Sequence, residues 1–151
     1  MKYIHRNEDG VVSYDKYAAY LEEHRAQLSN VVDVELLRME RFVPPGRESL
    51  HDARLLSVVV DDEKKSIQLE FKGPYFDRGF VFTYEGVESA ELGEPSPTDD
   101  ILVHEVRLEG ELLEHELHFH HDHHMRVVCR RIRFEERFTD PRVKEAPKNS
   151  T

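Results

Sequence analysis

The sequence is short of the features that would carry it out of a reducing, aqueous compartment. It has one cysteine, Cys129, so no disulfide can close within the chain, and a secreted domain this charged would more often carry paired cysteines. It has no long apolar run: the longest, Leu55 to Val60, contains Ser57 and falls far short of the ~20 residues that span a bilayer. The opening Met1-Lys2-Tyr3-Ile4-His5-Arg6-Asn7 has neither the apolar stretch nor the small-residue cleavage site of a secretory signal. A cytoplasmic protein with no membrane contact is the expectation. Basic charge is scarce as well. Twenty-one Lys and Arg against 31 Asp and Glu give a formal net charge of -10, which argues against nucleic-acid binding through phosphate neutralisation. Catalytic templates are missing too: there is no phosphate-cradling glycine loop, no G-x-S-x-G and no H-E-x-x-H, since His115-Glu116-Leu117-His118 is one residue too short.

What is present suits one α+β domain. The 151 residues suffice for a single core, expected over 1–138, with a flexible polar tail over 139–151 that includes Pro141 and Pro147. Ser13 is placed to cap a helix whose apolar positions Tyr14, Tyr17, Ala18, Leu21 and Leu28 recur at three- and four-residue spacing. The run Val31 to Met39 is ambiguous, with a β-branched start and a leucine-rich end; a second helix, stopped by Pro44-Pro45-Gly46, is favoured. From residue 53 the period becomes two. Leu55–Val60 is apolar on both faces and suits a central strand, and it pairs as a hairpin with Ile67-x-Leu69-x-Phe71 across the Asp61–Lys65 turn. Phe80, Phe82 and Tyr84 mark one face of the next strand, and Gly86 permits a bend towards residues 87–92. Leu102, His104, Val106 and Leu108 mark another strand, closed at Glu109-Gly110-Glu111, before two long final strands. The expectation is an N-terminal helix or helix pair followed by an antiparallel sheet of about six strands.

Parity aligns the last hairpin, because facing side chains on a buried face must both be apolar. An odd loop centred on Asp122 sets Phe119 opposite Met125, Leu117 opposite Val127, His115 opposite Cys129, His118 opposite Arg126 and Glu114 opposite Arg130. A bulge is expected near Arg130-Arg131, where the apolar parity shifts to Ile132 and Phe134.

Two histidine constellations stand out. His118-x-His120-x-Asp122-His123 matches the H-x-H-x-D-H ligand string of metallo-β-lactamase-fold hydrolases. The likeness stops at the string, since no histidine follows His124 and a strand follows directly. On a simpler reading the His-rich hairpin 115–124 binds Zn²⁺ or Ni²⁺ through His118, His120, Asp122 and His123, or responds to pH through clustered imidazoles. The second set is His104 and His115, which share the apolar parity of their strands, with His51 and Cys129 as companions. These four form a buried polar cluster or, with Cys129 as thiol, a thiol-imidazole pair; hydrogen-bonded core histidines are the favoured form.

Residues 61–122 hold 17 acids and 5 bases, whereas 123–151 hold 4 acids and 8 bases. This asymmetry supports paired acidic and basic strands, or an acidic face for a basic protein partner. Open sheet edges would also allow oligomers. Finally, Ser49-Leu50-His51-Asp52-Ala53-Arg54-Leu55, the Tyr84-Glu85-Gly86-Val87 turn and Leu112-Leu113-Glu114-His115 resemble small bacterial families of unknown function whose sheets open with a Leu-His-Asp-Ala segment. Some of these are grouped with immunity proteins of polymorphic toxin systems. The resemblance spans about residues 49 to 136 and implies a non-enzymatic protein-binding domain, with no catalytic residues to carry over.

Overall fold

A computed structural model describes residues 1–94 and 99–139 of the chain. The loop positions 95–98 and the expected tail beyond Thr139 lie outside the described residues. A short hairpin, β1 (His5–Arg6) and β2 (Val12–Ser13), leads into α1 (Asp15–Leu28). Eight further strands follow: β3 (Arg54–Asp61), β4 (Ser66–Lys72), β5 (Arg78–Glu85), β6 (Ser89–Glu91), β7 (Ile101–Glu109), β8 (Leu112–Phe119), β9 (His124–Cys129) and β10 (Arg131–Phe138). They build two four-stranded antiparallel sheets, ordered β10-β5-β4-β3 and β6-β9-β8-β7, in place of one sheet of about six strands. The α+β expectation holds, with the strands divided into two layers. No described helix is long and apolar enough to cross a membrane.

The chain passes between the layers twice. After β5, Gly86 adopts φ +63° and turns the chain into β6 of the other sheet. After β9, Arg130 carries it back into β10. These crossings lie against each other, for the Arg130 N–H donates to the Glu85 carbonyl at 3.0 Å, and a Cβ on Gly86 would sit 2.9 Å from the Arg130 side chain. The expected bulge at Arg130-Arg131 is therefore a change of sheet. Alternation does the rest: Phe80, Phe82 and Tyr84 of β5 and Leu113, His115 and Leu117 of β8 are buried, and Phe82 and Tyr84 meet His115 in the space between the layers.

The sheet edges are managed unequally. Along β7, the Tyr17 hydroxyl of α1 accepts the Val106 N–H at 2.7 Å and donates to the Val106 carbonyl at 2.8 Å, while the Tyr20 hydroxyl accepts the Leu108 N–H. Two phenols thus replace the missing neighbour strand. Along β10, residues 31–33 do this work: Val32 bridges Ile132, the Ile132 N–H donates to the Val31 carbonyl, and the Asp33 carboxylate accepts the Phe134 N–H. The expected second helix over 31–39 is therefore absent. Its β-branched start lies along a strand edge, and only a 3-10 turn, Met39–Arg41, follows. Ser13 likewise falls in β2 and Tyr14 occupies the N-cap, so Ser13 caps nothing.

β3 departs most from expectation. It is an edge strand, bound on one side to β4 and on the other only near Arg54, which bridges Asp100. Leu56 is the extra residue of a β-bulge, and from Leu56 to Val60 every residue is exposed.

Candidate functional site

Two places in the molecule carry unusual chemistry, and a third carries unusual exposure. The buried histidines form the first. His104 Nε2 lies 3.0 Å from the Arg41 carbonyl, His104 Nδ1 lies 3.1 Å from His115 Nε2, and the Tyr84 hydroxyl lies 2.6 Å from His115 Nδ1. A carbonyl only accepts, so His104 Nε2 carries the proton and Nδ1 accepts from His115 Nε2–H; His115 Nδ1 then accepts from Tyr84. One chain of donors runs from Tyr84 to Arg41 with every atom satisfied. Phe42 stacks on His104 at 4.3 Å and Phe82 flanks His115 at 5.0 Å, which shuts out water. Burial pulls His104 down to about 4, and burial together with His104 itself holds His115 well below the ordinary imidazole range. Both rings are neutral struts of the core.

Neither expected companion joins them. Cys129 faces Leu113 across the sheet, and burial pushes its thiol up to about 12, so no thiolate-imidazole pair forms. The hairpin register explains this. Leu117 faces Met125, His115 faces Val127, Glu116 faces Arg126 and His118 faces His124, so the odd loop is centred on His121, two residues of pairing away from the expected alignment. Parity fixed which side chains turn inwards. It could not fix the loop centre, because a shift of two residues in the pairing leaves every side chain on the same face.

The expected metal set is not assembled. His118 Nε2 contacts Glu116 Oε2 at 2.6 Å, Asp122 occupies a left-handed turn position at φ +60°, and His123 packs its ring on Phe119 at 5.0 Å. His120 alone enters a group with ligand geometry, and its companions are His51 and Asp52. Among the described residues these are the three whose ligand atoms all lie within 4.8 Å of one another. His51 belongs here and not with His104 and His115. The His51-Asp52 pair is visible in the sequence just before the first strand, with an expected approach to His104 and His115; its meeting with His120 is missed because that residue is far along the chain. A cleft of about 290 Å³ opens beside it, lined by Pro44, Pro45, Gly46, Ser49, Pro74 and Tyr75 together with His51 and Asp52.

The carboxylates of β7 and β8 do not form an open acidic face. Glu105 is fully buried and accepts the backbone N–H groups of Lys2, Tyr3 and Ile4 as well as Arg107. Glu114 accepts from Arg107 and Arg126, which hold its carboxyl low against the opposing effect of burial. Glu116 is held low too, through its contact with His118 and its pairing with Arg107. Acid and base are paired within this sheet, which leaves little free charge on it.

The exposure lies along β3. Leu56, Val59 and Val60 are 54%, 54% and 51% exposed, and Val58 adds to the same strip. Val58 and Val60 sit opposite Leu69 and Ile67 at the rim of the core face, while Val59 sits opposite Gln68 on the outer face. Among the described residues the β7 edge is covered at Val106 and Leu108, the β10 edge at Ile132 and Phe134, and β6 spans three residues, so β3 is the long apolar edge left open. No family model matches the sequence, and no curated protein matches it.

Proposed function

We propose that this protein is a non-enzymatic protein-binding module, of the immunity-like kind its Leu50-His51-Asp52-Ala53 segment resembles, and that it docks its partner by strand addition to β3. The carrying observation is the run Leu56–Val60, paired on the β4 side alone and exposed throughout, on an edge whose counterparts β7 and β10 are covered at Val106, Leu108, Ile132 and Phe134. A free edge offers backbone N–H and C=O groups for affinity, and alternating side chains for specificity. The protein has covered its other long edges with tyrosines and a carboxylate, so an open, apolar edge here stands out.

Charge argues for the kind of occupant. Each copy carries a net charge of -10, which opposes self-pairing and favours a basic partner. Arg54, the cation at the start of β3, is already held by Asp100 at 3.4 Å, so it is not free to meet the acids of a second copy. At the other end of β3 and the turn beyond it, Asp61, Asp62 and Glu63 outnumber Lys64 and Lys65, which suits a partner strand that carries Lys or Arg opposite the acids. The acidic attraction thus sits at one end of an apolar strand and not on the outer face of β7 and β8.

Val59→Lys tests this, since Val59 is half exposed on the outer face and its replacement leaves the core intact. Baits of wild type and Val59→Lys are compared for capture from source-cell lysate at low and high salt, with light scattering of each alone. The expected result is a basic protein held by wild type in fixed stoichiometry, released as salt rises and lost in Val59→Lys, while both proteins are monomers with equal melting temperatures. A wild-type dimer split by Val59→Lys would give the edge to a second copy and overturn the partner reading. Capture unchanged in Val59→Lys would overturn strand addition itself.

A further inference from the structure

We infer that His51, Asp52 and His120 form a binding site for a divalent first-row transition metal, with Zn²⁺ the ion their donor set suits. Three features carry this, and none depends on the exposed run Leu56–Val60.

The donors are aimed. His51 Nδ1 lies 2.8 Å from the Leu102 carbonyl, which only accepts, so Nδ1 holds the proton and the lone pair of Nε2 is left free. A histidine whose far nitrogen donates to a backbone carbonyl is the arrangement by which proteins orient metal-binding imidazoles. That free Nε2 lies 3.5 Å from Asp52 Oδ2, and His120 Nε2 lies 2.8 Å from Asp52 Oδ1. The two rings meet edge to face with centroids 5.7 Å apart. Neighbouring ligands on a tetrahedral zinc, at 2.0–2.1 Å from the ion, are separated by about 3.3 Å. The three ligand atoms lie within 4.8 Å of one another, so side-chain rotations that give up the His120 Nε2–H to Asp52 Oδ1 hydrogen bond can bring them around an ion. Its remaining position faces solvent and the adjoining cleft.

The backbone that holds the donors is fixed at several points. Asp52 adopts φ +67°, a conformation that L residues rarely hold unless the surroundings impose it. Here the Asp52 N–H donates to the Ile101 carbonyl at 2.8 Å, the Ile101 N–H donates to the Ala53 carbonyl at 2.9 Å, and the His51 N–H donates to Ser49 Oγ at 3.0 Å. His120 comes from the β8–β9 loop and is tied by its own N–H to the Asp100 carbonyl at 3.0 Å. Two segments remote in sequence are thereby clamped on the same start of β7. Preorganisation of this kind lowers the ordering cost of binding.

The electrostatics permit a cation. Arg54, two residues beyond Asp52 in the chain, is held by the Asp100 carboxylate, and no arginine or lysine pairs with Asp52 among the described residues. Among the described residues the Asp52 carboxylate pairs with the two imidazoles. Two imidazole nitrogens and one carboxylate oxygen are borderline donors that suit Zn²⁺ and its first-row neighbours over Mg²⁺ or Ca²⁺.

The test is calorimetric titration of tag-free protein with Zn²⁺, paired with the visible absorption of a Co²⁺ complex, for wild type, His120→Ala, Asp52→Asn and His124→Ala. His120 and His124 are both exposed members of the same hairpin, so truncating either leaves the core untouched, and circular dichroism checks each fold. The expected result is one ion per chain, with a tetrahedral Co²⁺ spectrum. Affinity should fall at least about tenfold in His120→Ala and Asp52→Asn and stay within about twofold in His124→Ala. Wild-type protein that binds no Zn²⁺, or binding that survives His120→Ala, would overturn the assignment. Loss in His124→Ala equal to that in His120→Ala would do the same, since it would show scattered surface histidines in place of a built site.

Discussion

Acid should loosen this fold at a pH where its carboxylates are still charged, because two buried imidazoles must be neutral to fit. In the folded chain His104 is pulled down to about 4 from an ordinary value near 6.5, while in the unfolded chain it returns to that value. Between those limits the unfolded state binds more protons than the folded state, so unfolding becomes easier as pH falls. The contribution is fully present above about pH 6.5 and is lost on the way down to about pH 4. At about 1.4 kcal/mol for each pH unit, His104 alone accounts for about 3 kcal/mol, of which about 2 kcal/mol is gone by pH 5. His115, held low for the same reason, adds a loss of the same sign. Asp77, Glu114, Glu116 and Glu136 are held below the usual carboxylate range, so their losses come near and below pH 4.5 and leave the interval from pH 7 to 5 to the imidazoles. For a domain stable by about 5–15 kcal/mol this is a large fraction. Urea unfolding at half-unit steps from pH 7.5 to 5 measures it. In His104→Gln, whose amide retains a donor for the Arg41 carbonyl, the difference between the ends of that range should shrink by about 2 kcal/mol. A wild-type unfolding free energy that is flat across the range would refute the buried neutral pair.

Two further substitutions probe how edges and buried charge are handled. Tyr17→Phe strips the Val106 N–H and C=O of their shared partner in a buried place, and urea unfolding should show a loss of about 2 kcal/mol, with faster amide exchange along β7. Glu105→Ala removes the acceptor of three backbone amides and leaves Arg107 short of a counter-charge, and thermal and urea unfolding should register about 3 kcal/mol or more. A loss below about 1 kcal/mol would show that water replaces the carboxylate.

The sequence announced some elements and concealed others for physical reasons. Phe80, Phe82 and Tyr84, or Leu113, His115 and Leu117, alternate cleanly because one face of each strand is buried, and that period survives in the fold. Tyr20 lies one helical step from Tyr17, and both are buried in α1, yet their larger role as edge covers for β7 depends on a strand some ninety residues away. The segment Val31–Val32–Asp33 is non-helical for a similarly remote reason, its pairing with β10. Leu55–Val60 misled through its composition: apolar residues on both faces suggest a central strand, and the same residues on an edge suggest a surface kept for another chain. The histidines divide in the same way. Strand parity identified His104 and His115 as inward, whereas the meeting of His120 with His51 and Asp52 required two loops to converge on the start of β7.

The adjacency of Gly86 and Arg130 has a mechanical consequence. Both covalent passages between the layers lie at one end of the sandwich, like the spine of a book, and no passage joins the layers at the far end, where β3 begins. There the pages are held shut by a clasp of ordinary bonds: Asp52 and Ala53 against Ile101, and Arg54 against Asp100. Any breathing of the two layers must therefore hinge at the spine and open at the clasp, which is also where His51, Asp52 and His120 converge.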